Sequence, residues 1–327
     1  TLGSFYIICG EEAFLRSHYV ELATKKLTDG PAGEFNFHRF SADDCTPQAL
    51  ADAIDAMPMM AERTLVRVDD VDLFKQPEGA REQYAAILSD IPDYCCVLFV
   101  YDTVEFKINS TMKKLAAAVK EHAQIVSFDK QSERSLCAWI TRHFRAHGKS
   151  VTDELCQYLI FRTDGLMTTL GGEIDKIAAY QEGDAITRGA IDAVVIPALS
   201  AQTFDISDAV VNRDFEKALF KLQELYAMQT DPIVVLGAIG AQLRRLYYAR
   251  VILSSGGGQK ELMELTGLKS YPAGLTMTAA RRVTDRFCQS AIQLVLDTDL
   301  SMKTSAGEQE QLLELLLVRL AQEAQHG

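Results

Sequence analysis

The stretch Phe5–Ala23, FYIICGEEAFLRSHYVELA, reads as a short apolar strand, one glycine, an acidic turn and then a helix. Strand, glycine turn, helix is the order of a phosphate-binding loop. Such a loop needs the pattern G-x-x-x-x-G-K-[S/T], so that backbone N–H groups wrap the phosphates and an ammonium neutralises them. Here Gly10 is followed by Glu11 and Glu12, and no lysine appears before Lys25. The scaffold of a nucleotide site is present and carboxylates stand in its mouth.

Working outward, residues 1 to about 130 alternate strand and helix signals. The expected strands are Phe5–Cys9, Phe35–Phe40, Thr64–Val68, Cys96–Tyr101 and Ile125–Phe128, with helical stretches at Phe14–Leu27, Gln48–Ala56, Arg81–Leu88 and Met112–His122. Short apolar strands alternating with helices predict a mostly parallel sheet covered on both faces. From Glu133 the pattern turns helical: Leu136, Ile140 and Phe144 recur at helical spacing, as do Leu155, Tyr158 and Leu159. Thr152 and Thr187 read as helix starts. From Phe204 onward the chain reads as longer helices over roughly 204–228, 231–254, 259–266, 276–304 and 308–325, with Asp231-Pro232 opening one and Gly256-Gly257-Gly258 closing it. The expected plan is an α/β domain over 1–132, a small helical domain over 133–200 and a helical domain over 201–327.

The totals are those of an ordinary globular protein: 327 residues, 48% hydrophobic and 24% charged. No apolar run reaches the roughly 20 residues of a membrane helix, and no leader of the secretory type is evident, so a cytoplasmic protein without a membrane partner is expected. A net charge of −12 argues against a chain whose main task is coating nucleic acid. The seven cysteines form no C-x-x-C pair and read as buried free thiols.

Several motifs invite a chemical reading. Gly148-Lys149-Ser150 has the tail of a phosphate-binding motif, but the preceding residues form an amphipathic helix instead of a strand. TLVRVDDVDLF (Thr64–Phe74) runs apolar residues into Asp69-Asp70, like a magnesium-holding strand, yet no phosphate cradle accompanies it. His143 and His147 are spaced to share a metal on one helix face, with no third ligand nearby. No metal, cofactor or catalytic residue is therefore expected. Arg244, Arg245 and Arg250, with Arg281, Arg282 and Arg286, make a basic cluster that suits either a phosphate backbone or a solvated, ion-paired face. In AIDAMPMMAERTLVRV (Ala53–Val68), Pro58 breaks a helix and Met59-Met60 follow. Flexible apolar side chains on a protruding tip suit a partner's apolar pocket, and they equally suit the local core.

Taken in order, these segments resemble the delta subunit of the bacterial DNA polymerase III clamp loader. FYIICGEEAFLR is similar to that family's opening strand and turn, and AMPMMAERTLVRVDDV to its helix tip and third strand. Leu166–Ile177 is similar to its Glu…Lys helix, with Glu173 and Lys176 at the matching places. TFDISDAV and DFEKALFKLQEL resemble the start of its collar domain, and DTDLSMKTS its late helix. The resemblance implies an AAA+-like first domain whose nucleotide site is degenerate, so that Glu11 and Glu12 are tolerated and ATP is hydrolysed by neighbours. It implies binding and opening of the beta sliding clamp through Met57, Pro58, Met59 and Met60, with Met59-Met60 where the family commonly has Leu-Phe. It further implies assembly with the gamma/tau ATPases and delta-prime within the polymerase holoenzyme, and access to primed DNA through that assembly; the basic cluster read above then offers Arg244, Arg245 and Arg250 as candidate DNA contacts. A divergent ATPase using Gly148-Lys149-Ser150 or Asp69-Asp70, and a helical adaptor or DNA-binding protein, are the competing readings.

Overall fold

The computed structural model describes residues 3–30, 32–304 and 308–326. The chain packs as two compact units, Thr1–Ser132 and Glu133–Gly327.

In the first unit, strands β1 (Phe5–Cys9), β2 (Phe37–Phe40), β3 (Thr64–Asp69), β4 (Cys95–Val100) and β5 (Gln124–Ser127) alternate with helices α1 (Ala13–Leu27), α2 (Pro47–Asp55), α3 (Glu78–Ser89) and α4 (Lys113–His122). The strands form one sheet in the order β2-β3-β4-β1-β5, and every pairing is parallel. Parallel strands need crossovers, and the crossover helices cover both faces. Alternate side chains of β4 accordingly join two different cores. Cys95, Val97 and Phe99 pack with Leu50, Leu73, Tyr84 and Leu115, whereas Cys96, Leu98 and Val100 pack with Ile8, Val20 and Leu65. All of β4 is buried, which is why it reads as an unbroken apolar run.

Apart from one isolated parallel bridge between Ser150 and Ala185, the regular elements of the second unit among its described residues are helices: α5 (Glu133–Ala146), α6 (Asp153–Arg162), α7 (Met167–Tyr180), α8 (Arg188–Val194), α9 (Leu199–Val211), α10 (Phe215–Ala227), α11 (Pro232–Ser254), α12 (Gln259–Thr266), α13 (Ser270–Ala280), α14 (Asp285–Thr304) and α15 (Gln309–His326). The Thr152, Thr187 and Asp231 side chains accept backbone N–H groups of α6, α8 and α11, one orphan donor satisfied at each start. Leu236, Ile239, Leu243 and Leu246 of α11 run through the larger core, against Leu222, Phe287 and Leu316.

Three expected elements differ. The second strand begins at Phe37, because Gly33–Asn36 coil into a 3-10 turn. The helix expected over 204–228 breaks at Asn212–Asp214, where Arg213 adopts a left-handed φ of 62° and the Asp214 carboxylate caps α10 through the Lys217 N–H at 3.2 Å. The helix expected over 276–304 is two helices, α14 being restarted by the Thr284 hydroxyl, which accepts the Phe287 N–H at 3.2 Å.

Candidate functional site

The β1–α1 turn is built against an anion. Gly10 has φ 113°, and a Cβ there would lie 2.6 Å from the Phe128 carbonyl carbon, so glycine is required by the close approach of the chain after β5. Glu12 N–H, which would face a phosphate, donates to Phe128 O at 2.8 Å, and Phe128 N–H donates to Cys9 O at 2.8 Å. Arg16, almost wholly buried, donates from Nε to Asp102 Oδ1 at 2.6 Å and from its terminal nitrogen to the Gly10 carbonyl. The turn thus presents a carbonyl to an internal guanidinium, whereas a phosphate cradle presents N–H groups to an external anion.

The acidic end of β3 is equally committed. Asp69 accepts Arg39 and Arg67, each at 2.7 Å. Asp70, at φ 55°, accepts the Asp102, Thr103 and Val104 N–H groups at 2.7, 2.9 and 3.3 Å and the Thr103 hydroxyl at 2.9 Å. Burial pushes the Asp70 carboxyl up, but these hydrogen bonds outweigh it and hold the group below the ordinary carboxylate range. Asp70 is the clasp between the β3 and β4 ends. Lys149 donates to the Gln181 and Gly183 carbonyls at 2.6 and 3.0 Å, closing the loop after α5. His147 meets Asp175 at 2.9 Å, whereas the His143 ring lies on Trp139, so the histidines have separate partners. Glu173 and Lys176 pair with each other at 2.7 Å.

The methionine segment has the opposite character: held backbone, free side chains. Beyond α2, the Ala56 carbonyl accepts the Thr64 hydroxyl at 3.1 Å. Asn36, 2% exposed, grips Met59 from both sides: its Oδ1 accepts Met59 N–H at 2.6 Å and its Nδ2 donates to Met59 O at 2.8 Å, while also holding Ala32 O at 2.9 Å. Met60 follows at φ 52°, a left-handed conformation uncommon for a residue with a Cβ. Yet Met57, Met59 and Met60 are 79%, 55% and 86% exposed. The local-core reading of this pair is thereby excluded. Phe35, whose neighbour Asn36 makes this grip, is itself 70% exposed. Sequence reasoning missed both residues, because FNF reads as a strand start and Asn36 finds its partner in a distant segment. The Asn36 side chain mimics a backbone strand, and an asparagine between phenylalanines was the available signal.

The arginine cluster is dispersed. Arg250 is paired with Asp285 at 2.8 Å. Arg244 is exposed beside a recess lined by Ile233, Gly240, Leu296 and Asp299, whereas Arg245 lines a different recess with Phe161 and Tyr271. Arg282 is hydrogen-bonded to Asn212, and Arg281 and Arg286 are exposed. Consecutive residues on a helix point about 100° apart, which separates Arg244 from Arg245.

Comparison with known proteins adds an independent line. The family model described as DNA polymerase III, delta subunit, matches residues 6–129, and that of the delta subunit's C-terminal domain matches residues 200–320. The chain is 24% identical over 322 residues to DNA polymerase III subunit delta of Bacillus subtilis (strain 168), covering 96% of this chain and 92% of that protein. It is 20% identical over 273 residues to the probable DNA polymerase III subunit delta of Aquifex aeolicus (strain VF5), covering 81% and 76%. Among solved structures, the Bacillus subtilis DNA clamp loader delta protein (YqeN) superposes with a TM-score of 0.59 at 20% identity, over 98% of this chain and 96% of that one, a likeness of fold.

Proposed function

This chain belongs to the DNA polymerase III delta-subunit family, and from that premise we propose that it binds the sliding clamp and promotes its opening for loading onto primed DNA. The observation that carries the reading is the tip Met57–Met60: its backbone is pinned by Asn36 and Thr64, and its apolar side chains have no place in the core. A pinned loop loses little entropy on docking, so most of the gain from burying the side chains becomes affinity. Each methionine contributes roughly 1.5–3 kcal/mol when fully buried. Methionine has no rigid ring, but its unbranched thioether adapts to an irregular pocket.

Opening follows from differential binding. A clamp samples closed and opened forms, and a subunit whose tip contacts the opened form better shifts the population by the difference in affinity. The chain supplies no hydrolysis in this scheme, which assigns ATP turnover to the gamma/tau partners; with delta-prime they complete the assembly. Within the chain, residues 1–132 carry the clamp tip, 133–200 act as a lid-type domain and 201–327 as the oligomerisation collar. Of the three arginines expected to meet DNA, Arg244 is the one with an exposed guanidinium and no ion-pair partner among the described residues.

The test is calorimetric titration of the clamp from the same organism into the full chain without nucleotide, beside Met59→Ala/Met60→Ala. Nucleotide-independent binding that the double variant loses, with its thermal melt unchanged, is the expected result. A double variant that binds like the parent would remove the tip from the interface, and a parent that fails to bind would refute the clamp reading itself.

A further inference from the structure

A recess of about 180 Å³ in the second unit, open on one side to solvent, carries chemistry that the clamp reading does not use. Its apolar side is aromatic. Phe161 meets Phe204 edge-on at 5.5 Å between centroids and Tyr271 at 5.7 Å with a 44° tilt. Its polar side combines a committed pair, the Asp164 carboxylate accepting the Ser200 hydroxyl, with groups that keep open hydrogen-bonding capacity. Gln242 of α11, only 5% exposed, lines the recess and has no hydrogen-bond partner among the described residues. Glu133 uses one oxygen, Oε2, to accept Ser270 N–H at 3.3 Å, while Oε1 is buried without a partner. Arg245, half-buried on the same wall, has no carboxylate or carbonyl partner among the described residues, and Lys269 lines the recess beside it.

Buried polar groups are normally satisfied, and those left open beside a cavity mark the places a ligand fills. The requirements here are specific. The rings call for a flat aromatic body. A carboxamide needs both an acceptor and a donor, and the Glu133 oxygen needs a donor. The guanidinium calls for an anion. A phenylalanine or leucine side chain from a partner meets only the first requirement. A nucleobase with an exocyclic amino group, carrying a phosphate, meets all of them.

We propose that this recess binds a nucleoside phosphate: the base lies against Phe161 and Tyr271 with its edge on Gln242 and Glu133, and its phosphate meets Arg245. The site is remote in sequence from the closed β1–α1 turn and needs no P-loop. It stands independently of the clamp reading. The same chemistry arrives either as a free mononucleotide or as the end of a single strand.

The experiment is equilibrium dialysis of the full chain against AMP, GMP, CMP and UMP, with adenosine and a short single-stranded oligodeoxyadenylate in parallel. Binding of one equivalent of AMP, GMP or CMP, weaker for UMP and for adenosine, is the expected result. Arg245→Gln and Gln242→Leu should each weaken it about tenfold, the loss of one charge-assisted or edge contact. An oligonucleotide that binds tighter than AMP with the same sensitivity to both variants identifies a strand end as the source. Absence of binding by every probe up to about 10 mM, well above weak specific affinity, overturns the proposal, as does binding indifferent to both variants. Thermal melts accompany each variant, and if Gln242→Leu unfolds, the half-buried Arg245→Gln decides alone.

Discussion

Replacing Asn36 with alanine should loosen the methionine tip while leaving every tip side chain in place. The native amide makes three hydrogen bonds, to Ala32 O, Met59 O and Met59 N–H, from a position 2% exposed. Three bonds at about 1 kcal/mol each give a loss near 3 kcal/mol if nothing replaces them. Met59 is 55% exposed, so water recovers part of its share, and a net cost of about 2 kcal/mol is the working figure. Clamp affinity should fall for a different reason. With the pin removed, Met59 and Met60 must be ordered at the moment of binding, at about 1–1.5 kcal/mol of backbone entropy each, or a 30- to 150-fold weaker Kd. Two readouts separate these effects. Hydrogen exchange over residues 56–63 reports the pin directly, since the Met59 N–H loses its acceptor. Calorimetry against the clamp reports its consequence. Faster exchange at Met59 together with unchanged clamp affinity would refute the argument that the pin prepares the tip.

Phe35→Ala should leave the unfolding free energy from urea denaturation within about 0.5 kcal/mol of the parent, since the ring is exposed, and should weaken clamp binding about tenfold in the same calorimetry; unchanged binding would remove the ring from the tip surface. Gly10→Ala should cost about 2–5 kcal/mol by urea denaturation, the sum of a left-handed penalty and overpacking against Phe128. Gly30→Ala, at φ 139° with nothing within 4 Å of a new Cβ, isolates the first term and should cost less. A Gly10 loss no greater than the Gly30 loss would refute the close-packing account. Asp70→Asn keeps a side chain tolerant of the left-handed turn and removes the charge. Because the folded Asp70 carboxyl lies below its ordinary value, its contribution is complete above pH about 4–5 and vanishes as pH falls through the lower folded value. The stability gap between parent and variant should therefore be flat at neutral pH and close under acid, and a pH-independent gap would count against the clasp.

The parallel sheet was legible because its buried strands are continuous apolar runs and its helices carry an apolar stripe; both are local patterns that one sequence displays. The caps at Thr152, Thr187 and Asp231 were legible for the same reason. What escaped depended on partners distant in sequence. Asn36 reads as a strand residue until Met59, on the far side of α2, is brought to it. Arg244, Arg245 and Arg250 read as one patch until the helix turns them to different neighbours. The breaks at Asn212–Asp214 and Arg281–Thr284 interrupt apolar stripes that continue in phase on both sides, and periodicity alone runs through them.

The β1–α1 turn shows how a nucleotide-site outline persists without a nucleotide. Three features suggest phosphate binding in the sequence: the strand, the glycine and the helix that follows. Each has a packing cause here. The strand lies in the sheet between β4 and the edge strand β5, the glycine admits Phe128, and the helix brings Arg16 back to the Gly10 carbonyl and to Asp102. None of these contacts uses Glu11 or Glu12 side chains, which is why acidic residues can stand there. A phosphate entering this turn would have to displace the Phe128 carbonyl from the Glu12 N–H and face two carboxylates without a lysine to offset them. The outline is retained because it packs, and the phosphate is excluded by the groups that do the packing.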